Sequence, residues 1–257
     1  MSIIVALSGG KASAWCADWA LKNYPKEEVI LYFNDTKWEH KDLYRFLEDL
    51  SKYLNHPITV DADGRSPEDV FYDLNALANN RMPICSAELK AKRLQDYYKD
   101  GDTIIFGISA DEIHRAHRLT NIYEARAYRT KKKVTLRFPL IEKNISREQV
   151  DTFLKEIGIE EPFLYKLGFS HNNCSGGCVR GSKTQWALLY EKLPEVYLER
   201  ERVEEEVREY LGKDVSYLKD YTLRDLRAMI ERGEVKSSKA RQPDDVTDCI
   251  GICSTTA

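Results

Sequence analysis

The chain has 257 residues, of which 42% are hydrophobic and 32% charged, with a formal net charge of -3 at pH 7. That balance fits a soluble α/β protein large enough to bury a core, and it excludes a disordered, highly charged chain. No apolar run approaches the roughly 18 residues that span a bilayer, and no secretory pattern opens the sequence, so a cytoplasmic protein with no membrane segment is expected.

Residues 3–7 (IIVAL) form the continuous apolar run of a central parallel strand covered on both faces, and they lead through SGGKAS into a helical pattern. A second run at 29–33 precedes Asn34-Asp35-Thr36 and a helical stretch over 39–54. Residues 57–60 read as a third strand. Ser66, Pro67, Glu68 and Asp69 place an N-cap serine, a first-turn proline and acidic residues where a helix begins. Residues 103–108 give a fourth strand and 134–138 a fifth. Ser146 and Gln149 predict a capping box for a helix that runs through Glu156 and stops at Gly158. The pattern over 184–234 is helical and heavily charged, with Trp186 and Tyr197 at packing positions, and a polar stretch then leads to CIGICSTTA. Strands separated by helical patterns predict an α/β fold with a doubly wound, parallel, five-stranded sheet and a C-terminal helical, Cys-rich extension.

Ser8-Gly9-Gly10-Lys11-Ala12-Ser13 lies between the first strand and the first helix, where backbone N–H groups and the positive end of the helix dipole converge. That position suits a phosphate. Gly9 and Gly10 are expected to take positive φ and approach the anion closely, Lys11 to supply charge, and Ser8 and Ser13 to donate hydroxyls. The bland alternative is a glycine-rich turn that only closes a strand onto a helix. The segment is neither a Walker A loop nor the G-x-G-x-x-G of a dinucleotide fold.

SGGxxS after the first strand resembles the PP-loop of the adenine nucleotide alpha-hydrolase superfamily, and further segments resemble its phosphoadenosine phosphosulfate (PAPS) reductase-like branch, in the short form found in phage and bacteria. Asp35, Thr36 and Glu39 resemble the segment that borders the adenosine, and Cys85 with Lys90 and Lys92 resembles a Cys-x4-Lys segment. Gly107 with Asp111, Glu112 and Arg115 or Arg118 is similar to the segment after the fourth strand, and residues 168–178 to a Cys-containing loop. The resemblance implies a nucleotide site formed by Ser8, Gly9, Gly10, Lys11, Ser13, Asp35, Thr36, Glu39 and Gly107, with Lys11, Cys85, Lys90, Glu112 and Arg118 as the catalytic candidates. It implies a nucleotide-binding domain over 1–165 and a Cys-loop, helices and tail over 166–257 packed on that core. The implied function is sulfur transfer or sulfonucleotide reduction on ATP or PAPS, by an oxidoreductase or an ATP-dependent sulfur transferase; the alternative is an inactive nucleotide-sensing module. Two departures bear on this choice. Ala12 stands where ATP-using members carry Asp, which removes a carboxylate for Mg²⁺, and Asp248 to Cys253 replaces the reductases' Glu-Cys-Gly-Leu/Ile-His tail.

Cys174-x3-Cys178 and Cys249-x3-Cys253 make two matched pairs of soft ligands suited to an iron-sulfur cluster or Zn²⁺, with plain thiols as the alternative. The resemblance tilts the choice toward [4Fe-4S]. Cys16, beside Trp15 and near Trp19, reads as a small buried hydrophobe. His114 and His117 read as a solvated pair. The expected partners are the small-molecule nucleotide and a sulfur or electron donor protein, with a homo-oligomer left open. The basic run Arg126 to Lys133 (RAYRTKKK) leaves a nucleic-acid acceptor open as well.

Overall fold

A computed structural model describes residues 1–237. In chain order the elements are β1 (Ser2–Leu7), α1 (Lys11–Asn23), β2 (Glu28–Asp35), α2 (Lys41–Leu54), β3 (Ile58–Ala62), α3 (Pro67–Asp73), α4 (Ile84–Ser86), a π-helical segment (Ala87–Lys92), α5 (Arg93–Tyr97), β4 (Thr103–Phe106), α6 (Ile113–Thr130), β5 (Thr135–Arg137), α7 (Pro139–Glu142), α8 (Arg147–Glu156), α9 (Phe163–Lys166), α10 (Lys183–Lys192), α11 (Pro194–Leu211) and α12 (Leu223–Glu231). The sheet is five-stranded and all parallel, in the order β3-β2-β1-β4-β5. This is the doubly wound sheet that the strand pattern predicts.

The chain divides into two compact units. The first contains residues 1–34, 41–61 and 93–162 and holds the sheet almost entirely. Ile3, Val5 and Leu7 of β1 share one core with Ala14 and Ala17 of α1, Phe46 and Leu50 of α2, and Val150 and Leu154 of α8. Ile4 of β1 and Phe106 of β4, which alternate with that set, are also fully buried, and on their side Phe106, Tyr98 and the α6 residue Tyr123 meet edge to face or tilted. Covering on both faces is why these strands are apolar throughout instead of alternating.

The second unit contains residues 35–40, 62–92 and 163 onward. Its core joins Val70 and Phe71 of α3, Cys85 of α4, Trp186 and Leu189 of α10, Tyr197 and Val203 of α11, and Leu223 and Leu226 of α12. Trp186 and Tyr197 are buried, as their helical positions predict. Glu204 of α11 is wholly inaccessible and accepts the backbone N–H groups of Tyr217 (2.7 Å) and Leu223 (2.6 Å). One carboxylate thereby fixes the middle of the connection between α11 and α12 and the start of α12. Burial pushes its pKa up to about 7, against the opposing effect of the two amides.

The local start signals hold. Ser66 and Asp69 form a capping box with Pro67 in the first turn, and Ser146 and Gln149 form another. β4 ends at Phe106, two residues short of the apolar run, because the Ile108 N–H turns back to the Phe106 carbonyl (3.0 Å).

Candidate functional site

The phosphate-loop segment joins β1 to α1 in the first unit. β1 lies between β2 and β4, so the chain leaves it to one side and later returns to the other, and this reversal is where open α/β sheets bind ligands. Gly9 has φ +73°, the left-handed region that favours glycine, and a Cβ there would lie 2.6 Å from the Leu43 side chain. Gly10 corrects the sequence-based expectation. Its φ of -102° and ψ of 164° are extended, because it serves as the N-cap of α1. No side chain caps that helix at Gly10, so the first-turn amides of Ala12 and Ser13, which have no acceptor one turn back, form a helix end of the kind that accepts an anion.

Gly107, just past β4, comes against the same turn. A Cβ on it would lie 2.7 Å from the Ser13 nitrogen and 2.8 Å from the Ala12 carbonyl carbon. Only a residue without a side chain lets β4 end so close to α1. The two serines shape the loop from within. The Ser13 hydroxyl donates to the Gly10 carbonyl (2.9 Å) and accepts from the Ser8 N–H (3.1 Å), and the two hydroxyls stand 3.2 Å apart. Lys11 reaches Asp151 of α8 (2.5 Å) and Glu161 (3.3 Å), so a phosphate would compete with two carboxylates for this ammonium.

After β4, Glu112 and Arg115 form a buried ion pair at 2.7 Å, and the Ser109 hydroxyl donates to the same carboxylate (3.2 Å). Arg118, His114 and His117 are exposed on α6. Cys16 is fully buried, and burial holds its thiol far above the ordinary range, as its position among apolar residues predicts.

The model of the phosphoadenosine phosphosulfate reductase domain matches residues 2–181. The chain belongs to this family. No curated protein sequence matches it significantly. Membership brings a PP-loop nucleotide-binding fold and a connection to sulfur metabolism, and the match takes in the phosphate loop, Gly107, the Glu112 pair and the loop of Cys174 and Cys178. It stops before α10, so the family pattern says nothing of α10 to α12.

The second unit brings Thr36, Lys90 and the Cys174 backbone together around one carboxylate. Glu39 is buried; one oxygen accepts from the Thr36 hydroxyl (3.0 Å) and the Lys90 ammonium (3.3 Å), and the other accepts the Cys174 N–H (2.7 Å). Residues that look unrelated in sequence, at 36, 39, 90 and 174, thus converge. Lys90 lies in the π-helical segment, a local widening that recurs at functional positions. Asp35 stands apart from this group and accepts the Lys37 N–H (2.8 Å) in a turn where Lys37 has φ +67°. The cysteine loop is fastened a second time by the Ser175 hydroxyl on the Trp38 carbonyl (2.9 Å).

Cys174 and Ser175 both have positive φ, +49° and +53°, an uncommon state for residues with side chains that marks a backbone held by its surroundings. Cys85, Cys174 and Cys178 are all buried in the core of this unit. Among the described residues no group of three or more His, Cys, Asp or Glu side chains is arranged to hold a metal ion. The described cysteines therefore do not make a complete ligand set by themselves. The other predicted ligands, Cys249 and Cys253, lie outside the described residues.

Sequence reasoning missed Arg200 of α11. Its guanidinium is 3.6 Å from the centroid of the Trp38 ring, and Nε would lie 3.3 Å from a Cβ on Gly177 in the cysteine loop. The residue is 6% exposed, its Nε has no hydrogen-bond partner among the described residues, and burial lowers its pKa. Nothing in a charged helical run distinguishes this arginine from its solvated neighbours. Only the packing does.

Proposed function

We propose that the chain is an adenine-nucleotide-dependent enzyme of sulfur chemistry, acting by sulfonucleotide reduction or sulfur transfer. The observation that carries this reading is the uncapped N-terminus of α1 at the reversal of strand order, with glycines at 9 and 107 where side chains would collide with neighbouring atoms. Ser8, Gly9, Gly10 and Ser13 would cradle the phosphates, and Lys11 would exchange a carboxylate for phosphate oxygen on binding. Asp35, the last residue of β2, and Thr36 after it would border the adenosine, as the resemblance to the family implies. PAPS is favoured over ATP by Ala12, which supplies no carboxylate for Mg²⁺. The thiols of Cys85, Cys174 and Cys178 are the sulfur-reactive candidates, with Glu112, Lys90 and Arg118 as accompanying charges.

An iron-sulfur cluster belongs to this reading only if Cys249 and Cys253 join Cys174 and Cys178, and no step is assigned to it. A second reading, a nucleotide-sensing module without turnover, is favoured by one feature. Lys11 and Lys90, both catalytic candidates, each already hold a carboxylate.

The test is binding of ATP and of PAPS by the purified protein and their turnover with a dithiol reductant supplied as the two-electron donor, alongside Gly10→Val and Lys11→Ala. PAPS is expected to bind and be consumed, and Gly10→Val to abolish both. Binding without turnover selects the sensing module, and unaltered binding by folded Gly10→Val refutes the phosphate loop. Iron, sulfide and zinc measured in anaerobically prepared protein decide the metal.

A further inference from the structure

The arginines of this protein are mostly occupied. Arg45, Arg65, Arg137, Arg202 and Arg227 each hold one or more carboxylates at salt-bridge distance. Residues 113–133 break that habit, with seven Lys and Arg against a single acid, Glu124, in a chain whose overall charge is -3. Of these seven only Arg115 is in an ion pair among the described residues, and it faces inward. Arg118, Arg126, Arg129, Lys131 and Lys133 have no carboxylate within salt-bridge distance among the described residues.

The helical repeat organises these cations. At 100° per residue, His114, His117, Arg118, Asn121, Ala125 and Arg129 fall on one exposed stripe of α6, opposite the buried Arg115, Leu119 and Tyr123. At the end of the stripe Tyr128 is 80% exposed, the largest exposure of any aromatic side chain among the described residues, and the Lys131 ammonium lies 4.8 Å from its ring centroid. Lys131 takes φ +59° as the C-cap, so the chain turns there and adds Lys132 and Lys133 to the same end.

With 18 residues at about 1.5 Å each, α6 runs about 27 Å, much farther than one nucleotide reaches. It starts six residues after Gly107, on the phosphate-loop side of the sheet, and ends where the Lys133 carbonyl accepts the Gly101 N–H at the opposite edge, before β5. A polyanion lying on the stripe would extend from the far edge toward the phosphate loop, all within the first unit.

We infer that the exposed stripe of α6 and the basic turn after it bind an unpaired strand of nucleic acid, with Tyr128 as a stacking platform for a base. Repeating cations fit repeating phosphates, and an aromatic ring open on one face fits a base that is not already paired. An acidic protein segment would match the charges but gives Tyr128 nothing to stack on. The inference rests on the sulfur-transfer form of the proposed function, in which the strand is the acceptor; sulfonucleotide reduction has none. It is separable from that function, because the strand is held by α6 and the nucleotide by the loop at α1.

The test is fluorescence anisotropy on the full chain with a labelled mixed-sequence single-stranded RNA, the same sequence as DNA, a duplex of that sequence and polyglutamate as competitor, at about 50 and 200 mM salt. The single strands are expected to bind with strong salt dependence, and polyglutamate to compete weakly. Arg129→Glu with Lys131→Glu and Lys133→Glu should weaken binding by tenfold or more and reduce the salt slope by about 2, at roughly 0.7 per single-strand phosphate contact. Tyr128→Ala should weaken binding about tenfold with the slope unchanged, because stacking releases no counterions. Lys52→Glu, on exposed α2, should leave binding as it is. No single-strand binding at the lower salt, equal binding of duplex, displacement by polyglutamate as effective as by RNA, or an unaffected triple variant would each overturn the inference. Nucleotide affinity, measured on the same proteins, should be unchanged by the α6 substitutions and lost in Gly10→Val, so a failure of one reading is visible apart from the other.

Discussion

Replacing Glu39 is the sharpest perturbation available in the second unit, because three donors from distant parts of the chain end on one buried side chain. Glu39→Gln keeps the shape but exchanges an acceptor oxygen for an amide that can only donate, so either the Cys174 N–H or the pair Thr36 hydroxyl and Lys90 ammonium meets a donor. A buried donor that loses its acceptor costs about 1–3 kcal/mol, and breaking a buried charge pair from one side costs about 3–5 kcal/mol. The Glu39 and Lys90 side chains are 1% and 7% exposed, which places the pair in the buried regime. The expected loss is therefore about 3 kcal/mol or more, a large fraction of a stability of about 5–15 kcal/mol and on the order of 10 °C in Tm. Thr36→Val, which removes one hydroxyl donor, should cost only about 1 kcal/mol. The assay is thermal and urea unfolding of both variants and of Glu39→Gln combined with Lys90→Met, with amide exchange at Cys174 as the local readout. In the double variant part of the loss should return, since the uncompensated ammonium is gone. A Glu39→Gln protein within about 1 kcal/mol of the parent, with Cys174 still protected, would refute the assignment of Glu39 as the junction.

Four further outcomes are expected. With the folded pKa of Glu204 at about 7 and the ordinary glutamate value at 4.5, the native state binds the extra proton between those limits; this contribution to stability is fully present below about pH 4.5 and is lost as pH rises through 7, by roughly 3 kcal/mol, and Glu204→Gln should flatten that slope in urea titrations. Gly107→Ala should lower Tm by an amount equivalent to about 1–3 kcal/mol and weaken calorimetric nucleotide affinity, because its Cβ meets backbone and not a movable side chain; equal affinity would show that the close approach is not needed for binding. Arg200→Met, which relieves a buried guanidinium with no carboxylate at salt-bridge distance among the described residues, should leave Tm unchanged or raise it, and a fall of several degrees would mean that stacking on Trp38 outweighs desolvation. In metal-containing protein, Cys174→Ser and Cys178→Ser should each release the metal, as ligand loss does; retention in both would leave these residues as thiols.

What could be read from residue order was decided within a few residues. The strands at 3–7 and 29–33 are apolar on both faces because helices cover both, and Ser66 and Ser146 begin helices because their partners, Asp69 and Gln149, stand three residues away. The turn from β1 to α1 was legible for the same reason, as a glycine pair fixed between a strand and a helix. What it lacked was the division of labour between the glycines: Gly9 takes positive φ and leaves no room for a Cβ beside Leu43, whereas Gly10 is extended as the cap of α1. Strand order, the approach of Gly107 to Ser13, the hold of Asp151 and Glu161 on Lys11, and the junction of residues 36, 39, 90 and 174 were set only by the fold. Each depends on at least one meeting of groups far apart in sequence, which is paid for by burying two cores and leaves no mark in the local order of residues.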